Sequence, residues 1–376
     1  MNKPVKILYV NGGILDMGGI SGYMMNYYRH FDKSKIHIDF LTQGSGQNMF
    51  VDEINSYGGN VYQIPNKGAN PIKNATMLYR IIKNGKYDIV HAHADAGNAF
   101  ILHIAKKAGV KIRISHSHST DFLTKSKIKR LLNNFQKCLI KKNATELWGC
   151  SKQACEWLYS ENADFTIINN AVDLSLFRFN NEIRSSVRKE LNIADDCIAL
   201  CQIGHLCHIK NQEFSIHVIE KIITAYLQKN VKLFLIGDGD DKEKLLNILK
   251  TGPAKNNVIF LGLRKDVYNI LQGMDVMLMP SLFEGFPVTL VEGQALGLYS
   301  VISENITPEV KIYKNLIKSL PIKDTTIDDW ARACLDIPNI NKEQAAEVIS
   351  KAGFDIEKEA LALQNRYIKL LHGEEK

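Results

Sequence analysis

Short apolar runs alternate with longer segments of helical period along most of the chain. In the first half the apolar runs are Lys6–Val10, Ile36–Leu41, Asn60–Ile64, Ile89–Ala92, Lys111–Ser115, Glu146–Gly149 and Thr166–Asn169. Each is short enough for a strand buried on both faces. Amphipathic stretches such as Pro71–Lys83 and Asn98–Ala108 lie between them. A second series starts at Ile198–Ile203 and continues through Val231–Ile236, Val258–Leu261, Val276–Met279 and Tyr299–Ile302. Strands alternating with helices predict a parallel sheet with crossover helices, and two series predict two doubly wound α/β domains. The polar stretch Asn170–Asn192 between the series carries no strand signal, which puts the boundary near residue 175. Segments after Asp328 read as helices, the last being Glu357–Leu371 with Ala360, Leu363, Tyr367 and Leu371 at helical spacing. Ligands of such sheets bind at the carboxyl ends of strands, and a cleft between the two domains is the expected site.

Bulk properties narrow the class. The 376 residues fit two domains of roughly 100–200 residues each. No apolar run approaches the ~18–20 residues of a membrane-spanning helix. The N-terminus enters a strand without a signal-peptide core, so a cytosolic protein is expected. Seven cysteines form no C-x-x-C pair and read as reduced buried thiols. The net charge of +7 favours anionic partners. With no zinc-finger spacing and no RNP-type motif, nucleic acid is not among those expected.

The chemistry is expected in the strand-end loops. Ser281–Gly297 follows an apolar strand with a tight loop and then a helix, with Pro287 at the helix start. Glu284 falls in the loop and Glu292 about one turn into the helix. Free amides of Gly285, Phe286 and Val288 beside a helix N-terminus suit phosphate oxygens, and two carboxylates suit hydroxyl protons. The bland alternative is a solvent-facing glutamate pair. The loop Asn11–Gly22 is rich in glycine, with a helix expected from near Gly22. Its glycines miss the G-x-G-x-x-G spacing and Asp39 lies inside a strand, so a dinucleotide site, and with it an NAD oxidoreductase, is not supported. The fourth and fifth strands end in His91-Ala-His93 and Ser115-His-Ser-His118. These histidines can meet sugar hydroxyls or phosphate. Only Asp95 offers a further metal ligand, and no metal is expected.

Thr124–Lys142 carries seven basic residues and no acid. Its apolar positions Ile128, Leu131, Leu132, Phe135 and Leu139 share a helical face. That face is expected to dock inward, leaving the lysines to solvent or to anionic lipid headgroups. In the second half, Ile203–Asn211 sets Gly204 at a strand end and Lys210 ahead of a helix, placed to meet a diphosphate. Asp238-Gly-Asp240 looks like a metal-binding DxD motif but reads as a turn. Asp266 is a candidate cap for the helix after it.

Taken together these loops resemble family 4 of the glycosyltransferases, nearest to bacterial exopolysaccharide and capsule enzymes. The resemblance rests on Gly18-Gly19, His91-Ala-His93, Arg113–His118, Gly149–Ala154, Asn169–Asp173, Gly204 through Lys210-Asn211, Leu235–Gly239 and Pro280–Pro287 ending at Glu292. The E-x7-E pair is its specific part. The resemblance implies a GT-B fold of two facing Rossmann-like domains, residues 1–175 and 176–358, with a terminal helix 359–376 crossing back. It implies retaining transfer without a cofactor or obligatory metal, from a nucleotide-diphosphate sugar, UDP-linked as is usual, to a lipid-linked oligosaccharide or glycan. Glu284 would take a donor-sugar hydroxyl, Glu292 the ribose hydroxyls, and the Gly285–Val288 amides sugar and phosphate. Lys210 would neutralise the diphosphate, Arg264 would lie near the base, and Gly18-Gly19 by the phosphates or the acceptor. His116 would line the reaction centre, with His93 and His118 on the acceptor side. Such a protein would be cytoplasmic and able to lie at the inner face of the plasma membrane.

One residue departs from the pattern. The position after Gly204, usually arginine in the family, is His205. An imidazole, with an ordinary pKa of ~6.5, is only partly charged at neutral pH. This implies weaker leaving-group stabilisation, or a catalytically weak relative that binds the sugar nucleotide. A nucleotide-sugar epimerase on the same fold is the alternative enzyme class.

Overall fold

A computed structural model of the chain describes residues 3–122 and 126–373. It contains two compact units, Met1–Ala171 with Ile356–Lys376, and Val172–Asp355.

The strands of the first unit are β1 (Val5–Asn11), β2 (Ile36–Gln43), β3 (Val61–Ile64), β4 (Ile89–His93), β5 (Ile112–Ser117), β6 (Glu146–Gly149) and β7 (Thr166–Ile167). They form one parallel sheet in the order β3-β2-β1-β4-β5-β6-β7. The interior strand β1 has no polar face because it has no solvent face. Ile7 and Tyr9 pack on one side with Met24, Tyr27 and, from the C-terminal helix Ile356–His372, Leu363 and Tyr367. Leu8 and Val10 pack on the other with Leu78, Val90 and Leu102.

The second unit holds β8 (Ile198–Ile203), β9 (Val231–Ile236), β10 (Val258–Gly262), β11 (Val276–Met279), β12 (Tyr299–Ser303) and β13 (Ile317–Leu320). All are parallel, in the order β10-β9-β8-β11-β12-β13. The Rossmann-like α/β class expected from the alternation is thus present in both units. The strand not foreseen is β13. It is an edge strand, and a short run with Lys318 and Ser319 in it does not read as a buried one.

In each sheet the strand order reverses beside the first strand, between β1 and β4 and between β8 and β11. Loops leaving two adjacent strands in opposite directions open a crevice at their carboxyl ends. Every loop singled out from the sequence that carries a histidine pair or a Lys–Glu pair leaves a strand at or next to such a point.

Three expectations need correction. The helix after the glycine loop begins at Gly19, with Gly18 as its N-cap, one turn before the expected Gly22. Apolar residues at helical spacing from Val288 to Leu298 predict a helix of that length after β11, and it runs only Val288–Ala295. Leu296 is its C-cap, and Gly297 follows with a φ of +67° that suits glycine; a Cβ there would also lie 2.8 Å from the Lys342 backbone.

The third concerns the basic segment, whose Thr124 and Lys125 lie outside the described residues. Its helix, Lys127–Asn143, starts on a Ser126 side-chain cap. Ile128, Leu131, Leu132 and Phe135 do not dock inward; they are exposed. Polar and cation–π contacts occupy the inner side instead. Arg130 pairs with Asp121 at 2.7 Å, and the Lys137 ammonium sits 4.3 Å from the Trp157 ring centroid. Asn143 Nδ2 donates to Leu139 O, and Ile140 is buried.

Candidate active site

The second unit's crevice is built from the loops after β8 and β11. Gly204 (φ +140°) and Gly237 (φ +137°) end adjacent strands so closely that a Cβ on Gly237 would stand 2.1 Å from Gly204 O. Only residues without side chains fit this floor. The chain then turns through His205, exposed, and brings Lys210 back over Gly204, where a Cβ would meet Lys210 Cε at 3.3 Å. Asn211, in the left-handed region at φ +55°, ends the turn and starts the helix Gln212–Ala225.

A backbone bond from Leu282 N to Ile209 O (2.8 Å) ties this loop to the one after β11. Across that tie, Lys210 Nζ donates to Glu284 Oε1 at 2.6 Å, and Ser281 Oγ donates to the same oxygen at 2.7 Å. Among the described residues Oε2 has no hydrogen-bond partner and remains open to a hydroxyl donor. The amides of Gly285, Phe286 and Val288 likewise meet no acceptor among the described residues. The Phe286 ring stacks on Phe354 with centroids 5.7 Å apart, which anchors this stretch to the core. Pro287 is the N-cap of the helix that follows.

Glu292, one turn into that helix, has no hydrogen-bond partner for its carboxyl among the described residues. Burial pushes it up to about 7. A desolvated, unpaired carboxyl gains most from a ligand that brings hydroxyl donors.

Arg264, at the end of β10, is held otherwise. Its guanidinium takes Asp266 through two bonds (2.8 and 2.7 Å) and reaches Glu190 at 3.3 Å. Asp266 therefore stands at the N-cap position of the following helix without a side-chain capping bond. Asp238 also behaves as a turn residue. It accepts from Gly239 N at 2.9 Å and faces Lys242 at 3.4 Å.

The first unit's crevice holds the histidines. His91 and His93 end β4, and His116 and His118 stand at the end of β5. His91 Nε2 meets His116 Nδ1 at 3.1 Å, and His93 Nδ1 meets His118 Nε2 at 2.9 Å. The His116 and His118 rings stack at 4.3 Å, with the Tyr23 ring 4.9 Å from His116. Burial holds all four imidazoles below their ordinary range, His118 at about 3, so all are neutral at pH 7.

Hydrogen bonding sets the tautomers. Tyr9 Oη and Tyr367 Oη are 2.9 Å apart, and Tyr367 Oη is 2.7 Å from His91 Nδ1. If Tyr9 donates to Tyr367, Tyr367 to His91 and His91 Nε2–H to His116, the one proton left over is that on His116 Nε2, at the end of the row. The opposite direction strands the Tyr9 proton in the core, which is costly. The favoured direction leaves His116 a neutral imidazole with its proton on Nε2. That nitrogen, His93 Nε2 and the Tyr23 hydroxyl are buried without a partner.

Nitrogens of His91, His93 and His116 lie within 4.8 Å of one another, as a metal site requires. Both His91 nitrogens are already engaged by Tyr367 and His116, so they hold the rings in place without an ion. Gly18 and Gly19 open the helix Gly19–His30, where Gly18 N donates to Asp16 Oδ1 at 2.9 Å.

Tyr23, Tyr367, Asn98 and Ser281 are site residues not assigned from the sequence. Asn98, at the start of the helix Asn98–Lys107, bonds Ser115 Oγ and the His116 carbonyl, fixing that helix start to β5. Tyr367 gives only a helical apolar signal. Ser281 lies inside the stretch singled out, and its three-residue spacing from Glu284 is the one cue that was present.

Two family models match the chain. That for Glycosyltransferase Family 4 matches residues 17–176, and that for Glycosyl transferases group 1 matches residues 183–353. EpsF of Bacillus subtilis (strain 168), named as a glycosyltransferase, is 32% identical over 384 residues, covering 98% of this chain and 97% of its own. An Escherichia coli UDP-Gal:alpha-D-GlcNAc-diphosphoundecaprenol alpha-1,3-galactosyltransferase is 27% identical over 80% of each chain. Among solved structures, Anabaena HepE in complex with UDP aligns with a TM-score of 0.76 at 16% identity, covering 97% of this chain and 100% of that one. The likeness to HepE shows the fold.

Proposed function

Since the chain belongs to family 4 of the glycosyltransferases, we propose that it moves a sugar, with retention, from a UDP-linked donor to a lipid-linked oligosaccharide or glycan acceptor. The donor's C1–O bond breaks and the electron pair leaves with the β-phosphate oxygen. The acceptor oxygen bonds C1 on the same face and passes its proton to the departing diphosphate oxygen. Negative charge grows on the diphosphate, the place where fixed cations and amides help most.

The observation that carries this reading is the paired Lys210 and Glu284 at 2.6 Å, beside the unpaired Glu292 at the same switch point. Lys210 and the free amides of Gly285 to Val288 take the diphosphate, aided by Gly204 and His205. Glu284 Oε2 takes a sugar hydroxyl and Glu292 the ribose hydroxyls. In the first unit His116 offers Nε2–H to an oxygen, His93 and His118 serve the acceptor, and Gly18 and Gly19 the phosphates or the acceptor. Arg264 serves the base through its backbone, its guanidinium being already paired. HepE with UDP, and a galactosyltransferase relative whose name gives a UDP donor and a diphosphoundecaprenol acceptor, support the donor and acceptor classes.

A panel of nucleotide sugars tested by thermal shift checks the donor. A ligand at 100 times its Kd adds about 2.7 kcal/mol. UDP-sugars are expected to raise Tm and others not; no shift from any sugar nucleotide would overturn the reading. NMR of donor with enzyme alone should show no new epimer, since an epimer formed without acceptor means an epimerase.

A further inference from the structure

The helix Lys127–Asn143 is turned inside out. Ile128, Leu131, Leu132 and Phe135 are 74%, 71%, 55% and 65% exposed. Their spacing of three, four and seven residues puts them on one face. A helix that merely covers a sheet turns such a face inward. Here the inner side is held by Arg130 with Asp121, Lys137 on Trp157, Lys67 with Gln136, and the buried Ile140 and Asn143.

The charges around the apolar face are of one sign. Lys127, Lys129, Lys141 and Lys142 are exposed, and the helix contains no acid. Lys127 and Lys129 project about 100° to either side of Ile128 at 3.6 residues per turn. A second copy seated on this face would bring lysine against lysine with no carboxylate to offset them. A bilayer with anionic headgroups matches both features, with acyl chains for the ridge and phosphates for its flanks.

We infer that Lys127–Asn143 is a membrane-docking helix that lies in the plane of an anionic bilayer, with Ile128, Leu131, Leu132 and Phe135 inserted and the lysines on headgroup phosphates. This differs from a purely electrostatic contact, in which the lysines alone would touch the lipid. It does not depend on which sugar or acceptor the enzyme uses.

Flotation of the full chain with vesicles tests it. Binding is expected to phosphatidylcholine vesicles containing phosphatidylglycerol, much less to phosphatidylcholine alone, and should weaken with salt. Leu131→Ser with Phe135→Ser should weaken binding by on the order of tenfold or more, with Tm unchanged because both side chains are exposed. Lys127→Gln with Lys129→Gln should weaken it less. Phe135→Trp should shift tryptophan emission to the blue with anionic vesicles only. Undiminished binding of the Leu131→Ser/Phe135→Ser variant would overturn insertion. Absence of vesicle binding, with a dimer that this same variant dissociates, would assign the face to a second copy and overturn the proposal.

Discussion

Glu292 is where a single residue makes the sharpest demand on its surroundings. Its carboxyl titrates at about 7 because burial disfavours the charged form, against an ordinary value of ~4.3. The folded state therefore holds this proton more tightly than the unfolded one. The stability it contributes is complete below about 4.3 and is lost as pH rises through about 7, by at most ~3.7 kcal/mol. Glu292→Gln is expected to be more stable than the parent at pH 8 and to differ little at pH 4.5, measured by urea unfolding. Asp39, held down to about 2 by His37, Tyr87 and Asn60 against the opposing effect of burial, titrates outside that window. If Glu292 accepts ribose hydroxyls, the same variant should lose most of the Tm shift from UDP-sugar.

Lys210 and Glu284 form the other residue-level test. Each variant, Lys210→Ala or Glu284→Gln, should lower turnover tenfold or more while the protein still folds. A charge-assisted hydrogen bond is worth ~1.5–3 kcal/mol. Because the two side chains bond each other, the double variant should lose less stability than the sum of the singles, by about 0.5–3 kcal/mol. Additive losses would mean the 2.6 Å pair does not exist in solution.

At the scale of elements, the C-terminal helix reaches the histidines through one hydroxyl. Tyr367 connects Tyr9 to His91 and so fixes the tautomer of His116. Tyr367→Phe keeps the ring packed against Trp148 and Phe31 but breaks the row. Turnover is expected to fall by roughly tenfold, in line with a net hydrogen bond of ~0.5–1.5 kcal/mol, and Tm to fall with it, because the Tyr9 hydroxyl and His91 Nδ1 lose their buried partner. Nitrogen-15 NMR should show His116 moving from a single tautomer to a mixture, which a packing defect alone would not cause. An unchanged His116 spectrum would refute the proposed direction of the row.

For the whole molecule, the C-terminal helix belongs to the first unit although the second lies before it in sequence. Ile356, Ala360, Leu363 and Tyr367 are all buried in the first unit's core. Ending the chain at Asp355 strips that core of four side chains and leaves the second unit's cores whole. Limited proteolysis of the truncated chain should cleave within residues 3–171 and spare residues 172–355. Equal cleavage of both would mean the helix supports both units. Among the described residues no helix is long and apolar enough to cross a membrane.

Alternation of apolar runs and helical segments was enough to read twelve of the thirteen strands among the described residues, because a strand buried on both faces is apolar over its whole length. The loops with Lys210, Glu284, Glu292 and the four histidines were legible for a related reason. Polar residues just beyond a buried strand stand where a parallel sheet places its ligands. Three features were settled only by tertiary structure. Periodicity gives a helix a face but not a direction, and Ile128 to Phe135 point outward because other residues of that helix hold the body. Contact across 276 residues, as between His91 and Tyr367, leaves no local pattern. The charge state of Glu292 follows from its desolvation, which exists only once the chain has packed around it.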